Sequence, residues 1–489
     1  MVKKLIYSLS ALLLLILPTS CNTYLDLRPQ DGITKDEFWR TKEQVQAAVM
    51  GCYAGMLNGL PETLFLWGEL RADMVTSTFV TRPEETDMIN VNLLPSNSIA
   101  NWRGIYQVIN YCNTVIEFAP SVTESDKTFT QEALNISLAE AKTLRALLYF
   151  YLARTFGDVP LKLNATTSDN QITPIPKSTQ TEILAQIVKD LKEAEPNAPL
   201  AYGDVASNKG RITRYTVNAL QADVALWMEH YEEALAACNK ITSSAKFGLI
   251  QGNAYHNQVF VQGNSNEGIF ELQYDRQRIN GFYGLFVAPR RLIASSYVMD
   301  AVYTQDFFDD TKKDLRGDES AVRATDGTIW KYISLNGTTL RVINESYAHW
   351  IIYRYADVLL MKAEALTMLK RAPEALTIIK AIRDRAQALE GTVKAPDPAD
   401  TEAVMDYILE ERARELAFEG KRWYDVLRHA KRNNYKRLDI LLDMVARSVP
   451  SDRQQSAIAK FKDFNSHYLP IFQYELQTNK QLVQNPFYK

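Results

Sequence analysis

Among the side chains able to do chemistry, the densest group lies in EERARELAFEGKRWYDVLRHA, Glu410 to Ala430. Glu411, Glu415 and Glu419 step by four, so a helix would set them in one row roughly 5–6 Å apart. Glycoside hydrolysis uses two carboxylates at about 5–10 Å, which makes the row a candidate acid and base. The same residues have a plainer reading. Glu410 precedes Arg414 by four, the favoured order for an ion pair along a helix, and Glu411 precedes it by three. Leu409, Ala413, Leu416 and Ala417 form an apolar stripe opposite. The expectation is a helix with one packed face and one solvated, ion-paired face. Gly420 stops it, and Trp423, Val426 and Leu427 start the apolar side of the next.

No other catalytic or metal-binding pattern competes. His230, His256, His349, His429 and His467 form no HExxH and no short paired spacing. The acidic DFFDDTKKD lacks the glycine and spacing of a calcium loop and reads as a solvated helix start. Phosphate-binding glycine loops and a GxSxG nucleophile turn are missing from the sequence. No catalytic residue, bound metal or cofactor is expected.

Binding chemistry has better candidates. An exposed aromatic face buries the C–H groups of a sugar ring, while neighbouring polar groups orient its hydroxyls. The window LQYDRQRINGFYGLFVAPRR holds Tyr274, Phe282, Tyr283 and Arg290, with Gly281 and Gly284 bracketing an expected loop tip. Trp330 in DGTIWKYIS and Trp67 in FLWGELRADM are further candidates, as are Phe79 and Arg82 before Pro83. Each of these aromatics has an alternative reading as a core residue. Tyr283 is the strongest single choice.

The elements that must position these residues are mostly helical. Of 489 residues, 46% are hydrophobic and 23% charged, and the formal net charge of −3 offers no footprint for nucleic acid. The 25 tyrosines exceed the 19 phenylalanines and 7 tryptophans, as suits either large helix interfaces or sugar and peptide contacts. Residues 1–20 read as a signal peptide, with Lys3 and Lys4 before an apolar run to Leu17, and Cys21 directly after Thr19-Ser20 reads as a lipidation site. Cys52, Cys112 and Cys238 form no CxxC and read as buried free thiols.

Three- and four-residue apolar steps predict helices over about 42–57, 102–118 and a long segment ending at Gly157, then over 179–195 and 213–242. Further helices follow at 353–370, 372–389 and 401–419. Between about 246 and 345, Gly, Asn, Asp and aromatics interrupt every pattern, which predicts a loop-rich insertion with a few short strands. LQADVALWMEHYEEALAACNKI and MKAEALTMLKRAPEALTIIKAI share a register, Ala222 matching Ala363 and Glu233-Ala234-Leu235 matching Glu374-Ala375-Leu376. This is the logic of tetratricopeptide-like helical hairpins. The fold class is all-α, a hairpin scaffold with an irregular insertion forming the ligand-binding side.

Four segments then resemble the SusD/RagB outer-membrane lipoproteins. They are CNTYLDLRPQDGIT with FWRTKEQVQAAVMGCYAGM; WRGIYQVINYCNTVIE with AEAKTLRALLYFYLARTFGDVPL; YRYADVLLMKAEAL with the charged stretch above; and LPIFQYELQTNKQLVQNPFY, where Phe472 stands at a usual proline. The resemblance runs in order from residue 21 to 488, dividing the chain into 21–245 and 246–489, with C-terminal helices over 350–430. It implies a non-enzymatic protein, lipid-anchored through Cys21 in the outer membrane and facing the cell exterior. Such a protein would capture oligosaccharides and pass them to a SusC-like TonB-dependent transporter, touching the membrane only through its anchor. Peptide cargo on the same scaffold is the alternative, and a helical glycosidase the more remote one.

Overall fold

The computed structural model describes residues 38–304, 309, 312–336, 338–389 and 394–489. The signal peptide, Cys21 and most of DFFDDTKKD lie outside the described residues. The N-terminal half runs through α1 (Lys42–Met56), α2 (Leu60–Glu69), β1 (Val75–Ser77), α3 (Pro83–Ile89), α4 (Arg103–Ser125), α5 (Gln131–Phe156), α6 (Gln180–Ala194), α7 (Val205–Gly210), α8 (Arg214–Trp227) and α9 (Tyr231–Thr242). The C-terminal half of α5 is buried all round, every residue from Thr143 to Phe156 being shielded from solvent. Its two arginines in that stretch are paired, Arg145 with Asp190 at 2.8 Å and Arg154 with Asp223 at 3.2 Å. The helix ends at Gly157, whose φ of 73° closes it with no Cβ penalty.

The irregular middle contains β2 (Gly268–Leu272), α10 (Phe282–Phe286), β3 (Leu292–Ala294), β4 (Val322–Arg323), β5 (Thr328–Ile329) and β6 (Trp350–Arg354). The strands make three two-stranded antiparallel ribbons, β1–β3, β2–β6 and β4–β5. Two of them tie the insertion to the scaffold, because β1 precedes it in the chain and β6 follows it. The helices then resume as α11 (Tyr355–Met368), α12 (Ala372–Arg385), α13 (Thr401–Glu415), α14 (Arg422–Tyr435), α15 (Leu438–Ser448) and α16 (Gln454–Phe461). Backbone at Arg432–Asn434 departs from helical values, so α14 is kinked near its end.

The repeat seen in the sequence is two helical hairpins, α8–α9 and α11–α12, with α9 packed on α11. Ala222 and Ala363 are fully buried at the crossings, where a larger side chain would hold the backbones apart. The short turn expected inside 213–242 falls at Met228–His230, where Glu229 takes a φ of 62°. Helices α2, α3, α15 and α16 were not legible as separate elements. The core is continuous, with Trp67, Trp227, Trp350 and Trp423 all buried within it.

The charged stretch corrects its own expectation. Glu411, Glu415 and Glu419 are not on a solvated face; all three are buried, with side-chain exposures of 0%. Of its carboxylates before Gly420 only Glu410 is exposed, and it sits 4.0 Å from Arg414. Arg316 Nη1 lies 2.6 Å from Glu411 Oε1 and 2.8 Å from Glu415 Oε2, while Asp314 grips the same guanidinium at 2.6 Å. Arg354 Nη1 reaches Glu415 and Glu267, both at 2.6 Å, and its Nη2 reaches Glu419 at 2.8 Å. Lys331 adds 2.9 Å to Glu419, Arg383 3.0 Å to Glu411, and Arg385 closes on Glu415 and Glu267. Burial opposes the charge on each carboxylate, yet the surrounding arginines win. They hold Glu411 down to about 2 and Glu415 well below the usual range. Glu267, Asp314, Arg316 and Lys331 belong to the insertion, so this network is what seats it on α12 and α13.

Candidate functional site

Where β1 ends, a tight loop carries Phe79 into solvent. Phe79 is 100% exposed, the highest exposure of any large apolar side chain among the described residues. The loop is held. Thr78 N–H donates to Thr81 Oγ1 at 2.6 Å, and Val80 N–H to Thr78 Oγ1 at 3.3 Å. The Thr78 hydroxyl donates to the Arg290 carbonyl at 3.0 Å and the Thr81 hydroxyl to the Arg291 carbonyl at 2.5 Å. Two β-branched residues thus clamp the loop to the chain just before β3, in line with the pairing of Ser77 and Leu292. Pro83 then opens α3, and Glu85 accepts from the Arg82 N–H at 3.1 Å.

Charged residues follow the clamp on the chain it holds and on the turn beyond. Arg82 is exposed three residues on. Arg290 is partly exposed and bonds the Asp326 carbonyl, its Nη2 lying 3.5 Å from the Asp326 carboxylate. Arg323 grips that carboxylate at 2.6 Å and lies 4.9 Å over the Trp330 ring. Partial burial would raise Asp326, but Arg323 and Thr328 hold it down to about 2. Arg291 is buried between Glu62 at 2.5 Å and Glu85 at 3.2 Å. Burial raises Glu85, and Arg291 opposes the rise. Arg82, Arg290, Arg291 and Arg323 are matched by Glu62, Glu84, Glu85 and Asp326, so together they carry no formal net charge. Tyr283 is half-buried on α10, its carbonyl accepting from Val287 N–H at 2.9 Å and Ala288 N–H at 3.1 Å.

Phe79 and Arg82 therefore lie on a loop tied to the backbone of Arg290 and Arg291, and Tyr283 lies on α10, seven residues before Arg290. The other four candidates are corrected by burial. Phe282 is 1% exposed; it starts α10 rather than capping a loop tip, and stacks on Tyr332 at 4.7 Å. Trp67 is 0% exposed, with Nε1–H on the Ile99 carbonyl at 2.7 Å. Trp330 is buried, its indole donating to the Asn336 carbonyl at 3.2 Å. Tyr274 is buried with its hydroxyl 3.4 Å from the Leu57 carbonyl. None of these faces solvent. Arg323 and Asp326 were missed; the Asp326-Gly327 pair, a turn signal between two short strands, could have marked them.

The arrangement can stack one flat apolar face and orient hydroxyls with donors and acceptors beside it. A Ser–His contact does occur, His256 Nε2 with Ser334 Oγ at 2.5 Å, but both residues are buried. Among the described residues no group of three His, Cys, Asp or Glu is placed to hold a metal ion, and no helix is long and apolar enough to cross a membrane. Clefts of about 280 Å³ between α6, α8 and α9, and of about 800 Å³ beside α12, lie on the helical scaffold away from Phe79.

Residues 266–488 match the SusD family, and residues 23–226 match a family described as starch-binding associating with outer membrane. A SusD-like protein of Formosa agariphila is 28% identical over 462 residues, spanning 84% of this chain and 88% of its own. A SusD superfamily structure from Bacteroides vulgatus superposes with a TM-score of 0.76 at 21% identity, covering 92% of this chain and all of the other. NanU of B. fragilis superposes with a TM-score of 0.67 at 23% identity, covering 95% and 100%. At such identities the structural likeness speaks for the fold.

Proposed function

The chain belongs to the SusD/RagB family, and from that premise we propose that it captures oligosaccharides on the wall formed by Phe79, Arg82, Arg290 and Tyr283. Members of the family are generally surface glycan-binding proteins that work with SusC-type transporters and are generally non-catalytic. In this reading Cys21 carries the lipid anchor, the wall faces the cell exterior, and a SusC-like TonB-dependent transporter receives the cargo.

The observation that carries the proposal is Phe79. A fully exposed phenyl ring is unfavourable in water, yet here four threonine hydrogen bonds hold its loop in one conformation. A ring displayed in this way is preorganised for a flat apolar partner. Balanced charge around it suits an uncharged, hydroxyl-rich cargo better than a strongly charged one.

Isothermal titration of the purified protein against neutral polysaccharides and peptides tests the cargo. Binding of at least one glycan, lost in Phe79→Ala, is expected. Heat from peptides alone would overturn the glycan assignment. Release of reducing ends from any polysaccharide, abolished by one Asp or Glu substitution, would overturn the non-catalytic reading. Protease added to intact cells should remove the protein.

A further inference from the structure

Among the described residues every buried arginine other than Arg71 and Arg341 is ion-paired with an aspartate or glutamate. Arg341 donates instead to three carbonyls, those of Ser334 at 3.2 Å, Glu345 at 3.1 Å and Val261 at 2.8 Å. Arg71, in the turn after α2, has neither arrangement. It is 2% exposed and lies on the Trp423 ring, its guanidinium carbon 4.0 Å from the ring centre. Nη1 donates to the His467 carbonyl at 2.6 Å, while Nε and Nη2 have no hydrogen-bond partner among the described residues. Burial lowers Arg71 only to about 10, so it is a cation at neutral pH.

Its two contacts bring no negative charge. The His467 ring has Nε2 2.9 Å from the Phe461 carbonyl and Nδ1 3.1 Å from the Tyr435 hydroxyl, a donor and an acceptor that suit the neutral form. Burial holds His467 down to about 4. Trp423 offers a π face and no counter-ion. An isolated charge in a protein interior is costly, and a water molecule would fill the two donors while leaving that charge uncancelled. We propose that Arg71 holds a small monovalent anion, chloride in ordinary media, through Nε and Nη2, where the turn after α2 meets α14 and the turn Phe464–His467. One negative charge cancels one guanidinium, and a spherical ion is satisfied by two charge-assisted donors beside an aromatic wall. Sulfate or phosphate would bring more charge and more acceptor oxygens than this edge can match. The site joins positions 396 residues apart, and just beyond it Leu469 N–H donates to the Thr155 carbonyl on α5 at 2.8 Å. The anion would therefore fasten the end of the chain to its N-terminal helices, and its binding would raise the stability of the folded state.

Thermal unfolding of the purified chain, followed by circular dichroism, tests this with chloride replacing gluconate at constant ionic strength. A rise in midpoint of about 1–3 °C per tenfold increase in chloride is expected once the site fills. Crystals grown in bromide should show an anomalous peak against Nε and Nη2. Arg71→Gln removes the charge and should melt at the same temperature in both salts. A native midpoint indifferent to chloride would overturn the proposal even with a bromide peak, which would then be an adventitious ion only. Chloride dependence with no bromide at Arg71, or dependence that persists in Arg71→Gln, would place the ion elsewhere and overturn it too. Should Arg71→Gln fail to fold, the native melting series and the bromide map decide alone. None of these readouts depends on glycan binding.

Discussion

The seat of the insertion and the Phe79 wall are made of the same residue types and do opposite things. In the seat, Glu411, Glu415 and Glu419 meet Arg316, Arg354, Arg383, Arg385 and Lys331 with side-chain exposures no higher than 7%. At the wall, Arg290, Arg323 and Asp326 keep about a third of their side-chain surface in water, beside a phenyl ring that keeps all of it. Burial makes a charge pair a structural fastener that is costly to break singly. Exposure leaves it weak as a fastener and free to exchange water for a ligand. An arginine–glutamate cluster is therefore not a functional signal until its solvent contact is known.

The comparison is broken most severely at the seat. Glu415→Gln leaves Arg354, Arg385 and Arg316 short of a carboxylate and should cost about 3–5 kcal/mol in denaturant unfolding, as expected when one partner of a buried pair is removed. Trp330→Ala should cost a similar ~3–5 kcal/mol, because that ring is core and not a sugar platform. A loss much below 1 kcal/mol in either would mean that the seat or the core placement is wrong.

Acid should separate the two regions next. Glu411 and Glu415 have folded values below the ordinary 4.5, so their contribution is present above that pH and is lost as pH falls towards about 2. Unfolding followed by circular dichroism should steepen across that window. Glu69 has the opposite sign. It is buried in α2, accepts from Gly420 N–H at 2.8 Å, and burial pushes it up to about 8 despite that bond. Its stabilisation is complete below pH 4.5 and is lost as pH rises to about 8, at roughly 1.4 kcal/mol per pH unit. Glu69→Gln should flatten the stability profile in that range; an unchanged slope would show that Glu69 is ionised.

The smallest stability effect belongs to the wall. Phe79→Ala should leave the unfolding midpoint unchanged and weaken glycan binding at least tenfold by titration. Binding left intact would remove the wall from the site. Arg82→Ala should weaken binding less than Phe79→Ala does, again with no change in midpoint.

Periodicity made the scaffold legible. Helix α5, the hairpins α8–α9 and α11–α12, and the stop at Gly157 follow from three- and four-residue steps and one glycine. The seat was misread for a physical reason. A glutamate row finds ready partners along its own helix, and sequence alone ranks those local pairs above arginines up to about a hundred residues away. One clue was present: Ala413 and Leu416 interleave the row. Among the aromatics, type and loop context could not separate Phe79 from Phe282. Only the pairing of β1 with β3 decides that one ring is carried outward while the other stacks against Tyr332.

The closest backbone approach in this region has a manufacturing consequence. A Cβ on Gly68 would lie 1.9 Å from the Gly420 carbonyl oxygen, and Gly420 itself has a φ of 70° with Trp350 against it. Residues about 350 positions apart must therefore meet with no side chain between them, and one of them emerges from the ribosome long after the other. Until the last quarter of the chain arrives, α2 lacks one of the surfaces it packs against, although Trp67 and Phe65 already meet Phe156, Phe282 and Phe286. A nascent or truncated chain ending before Gly420 should behave as an assembly intermediate that needs holding, so shortened versions for crystallography or display should not be cut from the C-terminal end.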